Sequence, residues 1–358
     1  TFSRRAGRGS SESDRPPRVK TVLSVIDVNN PHQNVMREPV KTVALLGAGL
    51  IGSGWAARCL AHGLDVVAWD PDPSTESSLR ANVDNAWPIL KEVGLHSNAD
   101  QSRLKFETSL EDALSVADFV QESAPDDEAL KSKLIMQADQ LLPPDVVIAS
   151  SSSGIRPTRL QAEAVHSQRI MIGHPFNPVY LLPLVELVGG QATSEDTLRA
   201  GAKFYRSLTM RPLLAPVEID GYISDRLQQV LFHEALYMIE AGICSPAEID
   251  AAITGGPGLR WAFLGPMLTF HLAGGEGGIR HSMAHWAPEI ANRWTHLPAP
   301  EFTEKLIDTT AVGCEEIQAG RTIKEFERRR DRCLVAIQNA VDEFWFPPGQ
   351  DGWPDMPE

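Results

Sequence analysis

The chain has 358 residues, enough for two domains, and its 42% hydrophobic and 22% charged content excludes wholesale disorder. No run approaches the roughly 18 consecutive apolar residues needed to cross a bilayer, so no membrane partner is expected. Lys and Arg number 33 against 47 Asp and Glu, and the formal net charge of -14 argues against nucleic acid while tolerating a cationic ligand.

Residues 1–38 read as a disordered arm. TFSRRAGRGSSESDRPPR is basic, Ser-rich and almost free of large apolar side chains, and a short β-like run follows at 19–28. Its Arg/Ser bias is that of a targeting sequence, but Glu12 and Asp14 interrupt the pattern. At Val40 the character changes. VKTVALLG is a β-branched apolar run of the kind buried on both faces of a parallel sheet, and GLIGSGWAARCLAHG after it predicts a helix ending near Gly63. DVVAWD, ADFVQESA, DVVIASSS and RIMIGHP repeat the strand type, with a helix predicted over 127–142. Strand and helix in alternation mean α/β class: a Rossmann-type doubly wound parallel sheet over 39–219.

After Gly221 the strands stop. ISDRLQQVLFHEALYMIEAG puts Ile223, Leu227, Val230, Leu231, Leu236 and Ile239 on a helical apolar face so nearly continuous that both sides should be covered. That is more apolar surface than one packing face needs, and a C2 homodimer is the simplest way to bury it. Ser245, Pro246 and Glu248 form a capping box for a further helix, and another is predicted over 322–344. An all-α domain over 220–345, for substrate and dimerisation, is expected, then a disordered Pro-rich tail at 346–358. Cys59, Cys244, Cys314 and Cys333 form no CxxC pair, so the expectation is no metal, no disulfide framework and a reducing, cytoplasmic compartment.

Gly47-Ala48-Gly49-Leu50-Ile51-Gly52 matches GxGxxG between a predicted strand and a predicted helix, the context a dinucleotide requires. The helix N-terminus offers unpaired N–H groups to a pyrophosphate. Asp70 ends the second strand 18 residues after Gly52, where a carboxylate binds adenosine ribose hydroxyls. Its charge would repel a 2′-phosphate and no Arg follows in DPDPS, so NAD is favoured over NADP.

His174 ends a buried strand, the edge at which open α/β sheets bind ligands. Glu186 lies within the apolar strand LPLVELV, where an ionised carboxylate needs a partner. The pair suits alcohol oxidation. His174 takes the hydroxyl proton as general base while hydride goes to the nicotinamide, and Glu186 fixes the tautomer and stabilises the imidazolium. The run from Ser150 to Ser153 ends the neighbouring strand, and one of its hydroxyls can meet the substrate oxygen or simply build the βα turn.

GAGLIGSGWA, SSSSG, GHPFNP, PLVELV and GYISDRL, in that order, resemble the L-3-hydroxyacyl-CoA dehydrogenase superfamily across about residues 41–341. LRWAFLGPMLTFHLAGGEGGIRHSM and AGRTIKEFERRRD resemble its L-carnitine dehydrogenase branch, with L-gulonate 3-dehydrogenase and lambda-crystallin next. The resemblance implies His174 as catalytic base, Glu186 as its partner and Ser153 at the substrate hydroxyl. It places Glu122 and Lys131 at the cofactor, and it implies a homodimer joined through the helical domain. An Asn of the acyl-CoA and sugar-acid branches falls on Asp225, as in the carnitine branch. An ionised Asp there helps a quaternary ammonium, or it serves the helix start or Arg226. Phe176, Trp261, Phe263 and Phe270 offer ring faces to a trimethylammonium group, and Arg260 is a candidate for its carboxylate. The activity implied is NAD-dependent oxidation of the 3-hydroxyl of L-carnitine. The alternatives are L-gulonate or a 3-hydroxyacyl-CoA as substrate, or a crystallin-like binding protein without turnover. Ser153, His174 and Glu186 beside an intact glycine loop argue against the last.

Overall fold

Among the described residues, eight strands form one sheet in the order β3-β2-β1-β4-β5-β6-β7-β8. They are β1 (Thr42–Leu46), β2 (Asp65–Trp69), β3 (Leu104–Glu107), β4 (Phe119–Glu122), β5 (Val147–Ser150), β6 (Ile170–Pro175), β7 (Leu184–Gly189) and β8 (Arg211–Ala215). This is a computed structural model, and it describes residues 37, 39–262, 265–274, 278–291, 320 and 322–344. The run at 19–28, Phe263 and the tail at 346–358 lie outside the described residues. Arg37, assigned from sequence to the arm, instead donates from its guanidinium to the Asp145 carboxylate at 3.1 Å.

The first six strands are parallel, in the order of a dinucleotide-binding sheet. The doubly wound parallel sheet expected from the sequence is present, and two further strands extend it with one antiparallel pair. β7 pairs antiparallel with β6, and β8 then runs parallel to β7. The reason is chain length. Eight residues separate Pro175 from Leu184, and a parallel crossover needs about a dozen or more. Helices α1 (Leu50–Ala61), α2 (Thr75–Val93), α3 (Leu110–Leu114), α4 (Glu128–Leu141), α5 (Pro157–Leu160) and α6 (Glu195–Ser207) link the strands. Ala44, Leu46, Val120, Ile148, Ile170 and Ile172 belong to one buried cluster with Leu134, Ile135 and Ala138 of α4.

Beyond β8 the chain turns through Gly221 and Tyr222, both at positive φ, into α7 (Ser224–Glu240). Helices α8 (Pro246–Thr254), α9 (Pro257–Trp261), α10 (Pro266–Ala273), α11 (Gly278–Ala291) and α12 (Ile323–Phe344) follow. The capping box forms as the sequence predicts: Ser245 and Glu248 each accept from the other's backbone N–H. On α7, Leu236 is buried, while Leu227, Val230 and Leu231 are 57%, 67% and 47% exposed. Among the described residues, no helix is long and apolar enough to cross a membrane.

Candidate active site

Order 3-2-1-4 puts the switch point between β1 and β4, and there a cleft of about 850 Å³ opens at the carboxyl ends of the strands. The glycine loop forms its floor. Gly47 has φ +110°, and a Cβ on it would sit 2.6 Å from the Ser123 carbonyl oxygen. A Cβ on Gly52 would collide with the Gly47 carbonyl. Gly49 is different, because nothing lies within 4 Å of where its Cβ would be. Packing therefore requires the outer glycines, while the middle one keeps open a cradle at the uncapped N-terminus of α1, which suits a pyrophosphate. Leu50 and Ile51 line the same cleft.

Asp70 stands at the far end. Its Oδ2 accepts from the Ala48 N–H and its Oδ1 from the Asp72 N–H, both at 3.0 Å, which aims the carboxylate along the cleft edge with lone pairs to spare. Glu122 does not fit the direct contact with cofactor that the resemblance implies. It is fully buried and off the cleft wall, accepting from Lys131 Nζ at 2.8 Å, the Ala124 N–H at 2.6 Å and the Ser150 hydroxyl. Removing a buried carboxylate from water demands such partners, so Glu122 braces the loop whose residues Ser123 and Ala124 face the cleft. Lys131 does reach the wall.

At the other end of the cleft stands His174. The antiparallel register places it directly opposite Glu186, with Nδ1 3.1 Å from Glu186 Oε2. The second carboxylate oxygen accepts from the backbone N–H groups of Ile223 and Ser224 at the start of α7. Burial works to raise the Glu186 carboxyl, but the bonds from His174 and Ser224 outweigh it and hold it below the ordinary carboxylate value. This pinning of α7 carries Asp225 to the opposite edge of the ring, its Oδ2 3.5 Å from His174 Nε2. Burial, joined by the like charges of Glu186 and Asp126, lifts the Asp225 carboxyl above its usual value against the pull of His174. Asp225 also accepts from Gln228 and does not pair with Arg226, whose guanidinium goes to the Asp220 carbonyl.

Ser153 comes to the site as expected, lining this cleft and a second one of about 890 Å³ under α7. Its hydroxyl donates to Asp126 Oδ2 at 2.7 Å, and Ser152 donates to the other oxygen. Asp126 is a residue that sequence reasoning missed. Phe176 meets the His174 ring edge-on at 4.8 Å between centroids. Arg260, Trp261 and Phe270 line neither cleft. Among the described residues, the second cleft is lined by the ring of Phe232, which no motif marked, and by the carboxylates of Asp225, Glu234 and Asp250, with no Lys or Arg in that described lining.

Residues 42–218 match the family model described as 3-hydroxyacyl-CoA dehydrogenase, NAD binding domain, and residues 221–320 match the C-terminal domain of the same family. Among curated proteins, the chain is 52% identical over 304 residues to L-carnitine dehydrogenase of Pseudomonas aeruginosa, covering 85% of this chain and 95% of that protein. It is 43% identical over 312 residues to L-carnitine dehydrogenase of Bacillus cereus, covering 87% and 96%. Among solved structures, 5-formyl-3-hydroxy-2-methylpyridine 4-carboxylic acid 5-dehydrogenase, an NAD-dependent dismutase, superposes with a TM-score of 0.72 at 26% identity, covering 85% of this chain and 99% of that one. (S)-3-hydroxybutyryl-CoA dehydrogenase from Ralstonia eutropha gives 0.55 at 28% identity, covering 79% and 95%.

Proposed function

We infer that this chain, which belongs to the 3-hydroxyacyl-CoA dehydrogenase family, is the NAD-dependent dehydrogenase that oxidises the 3-hydroxyl of L-carnitine to 3-dehydrocarnitine. Bound NAD supplies the acceptor for the hydride of the carbinol carbon. The glycine loop and the N-terminus of α1 would hold its pyrophosphate and Asp70 its adenosine ribose, while Lys131 lines the same cleft.

His174 Nε2 takes the substrate's hydroxyl proton, and Glu186 on Nδ1 fixes the tautomer and offsets the imidazolium charge. Ser153 meets the substrate oxygen, with Asp126 as its resting acceptor. Asp225, aided by the ring of Phe176, faces the trimethylammonium group, while Phe232 and the acidic wall continue the same recognition into the second cleft. One observation carries this reading: a histidine held by a carboxylate on one nitrogen, with a second carboxylate 3.5 Å from the other, at the end of a dinucleotide cleft. That second cleft suits a cation better than the phosphates of an acyl-CoA or the charge of a sugar acid, so these rivals stand behind L-carnitine.

The division at about residues 219 and 220 follows from the same reading, with β1 to β8 carrying the cofactor and the helices the substrate. The exposed face of α7 is where a second copy of the chain docks. The test of the base is His174→Ala. It should leave NADH binding nearly intact and lower kcat with L-carnitine by roughly 10²–10⁴-fold. Activity within a few-fold of the unmodified protein would refute the assignment.

A further inference from the structure

At the His174 end of the cofactor cleft a chain of polar groups runs from the buried Tyr205 to the cleft wall, and its hydrogen bonds give it a direction. Tyr205 is fully buried, and its hydroxyl donates to Gln121 Oε1 at 2.6 Å. Burial pushes that phenol well above the ordinary tyrosine value, so it stays a donor. The amide nitrogen of Gln121 then points the other way, toward Ser151 Oγ at 2.8 Å and the Gly173 carbonyl at 3.2 Å. The carbonyl can only accept, so the amide cannot be turned round. Trp55 Nε1 also reaches Ser151 Oγ, at 3.1 Å, and an indole N–H only donates.

Ser151 therefore accepts twice, which uses both lone pairs of its hydroxyl. Its own proton then goes to Ser123 Oγ at 2.9 Å, its remaining partner among the described residues. Ser123 in turn cannot donate back. Its proton must leave the chain of bonds, and among the described residues no protein acceptor is recorded for it. Ser123 lines the cofactor cleft together with Ser151, Ser153 and His174. The backbone agrees with the placement, since the Ser123 N–H donates to the Leu46 carbonyl, the last residue before the glycine loop. Gly173 guards the arrangement from below, because a Cβ there would collide with the Tyr205 hydroxyl.

We propose that Ser123 is a directed hydrogen-bond donor to an oxygen on the nicotinamide-riboside half of the bound dinucleotide, committed to that direction by Tyr205, Gln121, Trp55 and Ser151 behind it. The assignment rests on the NAD reading above and adds to it a positioning group that no motif marks. It sets how the reactive ring is held against His174, whereas Asp70 and the glycine loop hold the rest of the cofactor.

Affinity measurements on the full chain test this without relying on turnover. ADP contains the adenosine and diphosphate but lacks the nicotinamide riboside. Ser123→Ala should weaken NADH roughly three- to tenfold, the usual net worth of one hydrogen bond, and leave ADP unchanged. Gln121→Met should act the same way with Ser123 intact. Without the amide donor Ser151 has a lone pair free, Ser123 turns to Ser151, and the cleft loses its donor. If Ser123→Ala weakened both ligands equally, or neither, the assignment would be overturned. A folded Gln121→Met protein with undiminished NADH affinity would overturn the proton order. Failure of the proposed function looks different: an unmodified chain that binds NADH but forms none from NAD and L-carnitine refutes that function, and the binding ratios still decide the role of Ser123.

Discussion

Asp225 owes its place to Glu186, because the carboxylate that orients His174 also accepts the first N–H groups of α7. The charge it brings beside His174 Nε2 is poorly solvated, and burial raises its carboxyl above the ordinary range. At about 4 Å and an effective dielectric of about 20, opposite charges attract by about 4 kcal/mol before desolvation is subtracted, enough to discriminate between ligands. Asp225→Asn should therefore weaken L-carnitine at least roughly tenfold more than 3-hydroxy-5,5-dimethylhexanoate, in which carbon replaces the charged nitrogen. The pH dependence has a definite sign. A raised carboxyl gains its proton early as pH falls, so the preference for the cation should shrink on acidification, and Asp225→Asn should remove that part of the change. Equal losses for the two ligands, measured by calorimetry across pH, would show that Asp225 does not face the cation.

Two elements meet in another buried ion pair, well away from the clefts. Asp139 of α4 accepts from Arg169, just before β6, and from the N–H groups of Val165 and His166. Both side chains are fully buried, so leaving Arg169 without its partner should cost about 3–5 kcal/mol. Burial works to raise the Asp139 carboxyl, but the bonds from His166 and Arg169 win and hold it below the usual value. A depressed value means stability that is complete above the unfolded carboxyl's pKa of about 3.9 and lost as pH falls through the folded one. Urea midpoints of Asp139→Asn should thus fall well below the unmodified protein at pH 7, with the gap closing in acid. A constant gap at all pH values would contradict this.

Elements also show what the sequence could and could not reveal. His174 and Glu186 were legible because each is chemically out of place in an apolar strand. Their partnership was legible too, whereas the antiparallel register that creates it was not, although the eight-residue connection carried the signal. β8 passed unnoticed because Pro212 suits only an edge strand, which is where the sheet order puts it. Asp126 was hidden beside Asp127, the residue that does cap α4, and its partnership with Ser152 and Ser153 exists only once β4 and β5 lie side by side.

For the molecule as a whole, the exposed apolar face of α7 predicts a dimer. Light scattering at micromolar concentration should give twice the chain mass, and Val230→Glu, on the most exposed position of that face, should shift it toward monomer. A monomer in both cases would leave the face without a second copy. The acidic balance of the chain reappears locally in the second cleft, whose described lining includes Asp225, Glu234 and Asp250. Global charge and local recognition thus favour the same class of substrate. The most direct test is NADH formation by the purified chain, compared as kcat/KM for L-carnitine, its neutral carbon isostere, L-gulonate and a 3-hydroxyacyl-CoA. L-Carnitine should lead its isostere by at least roughly tenfold and exceed the other two; a higher value for L-gulonate or the acyl-CoA would contradict the account.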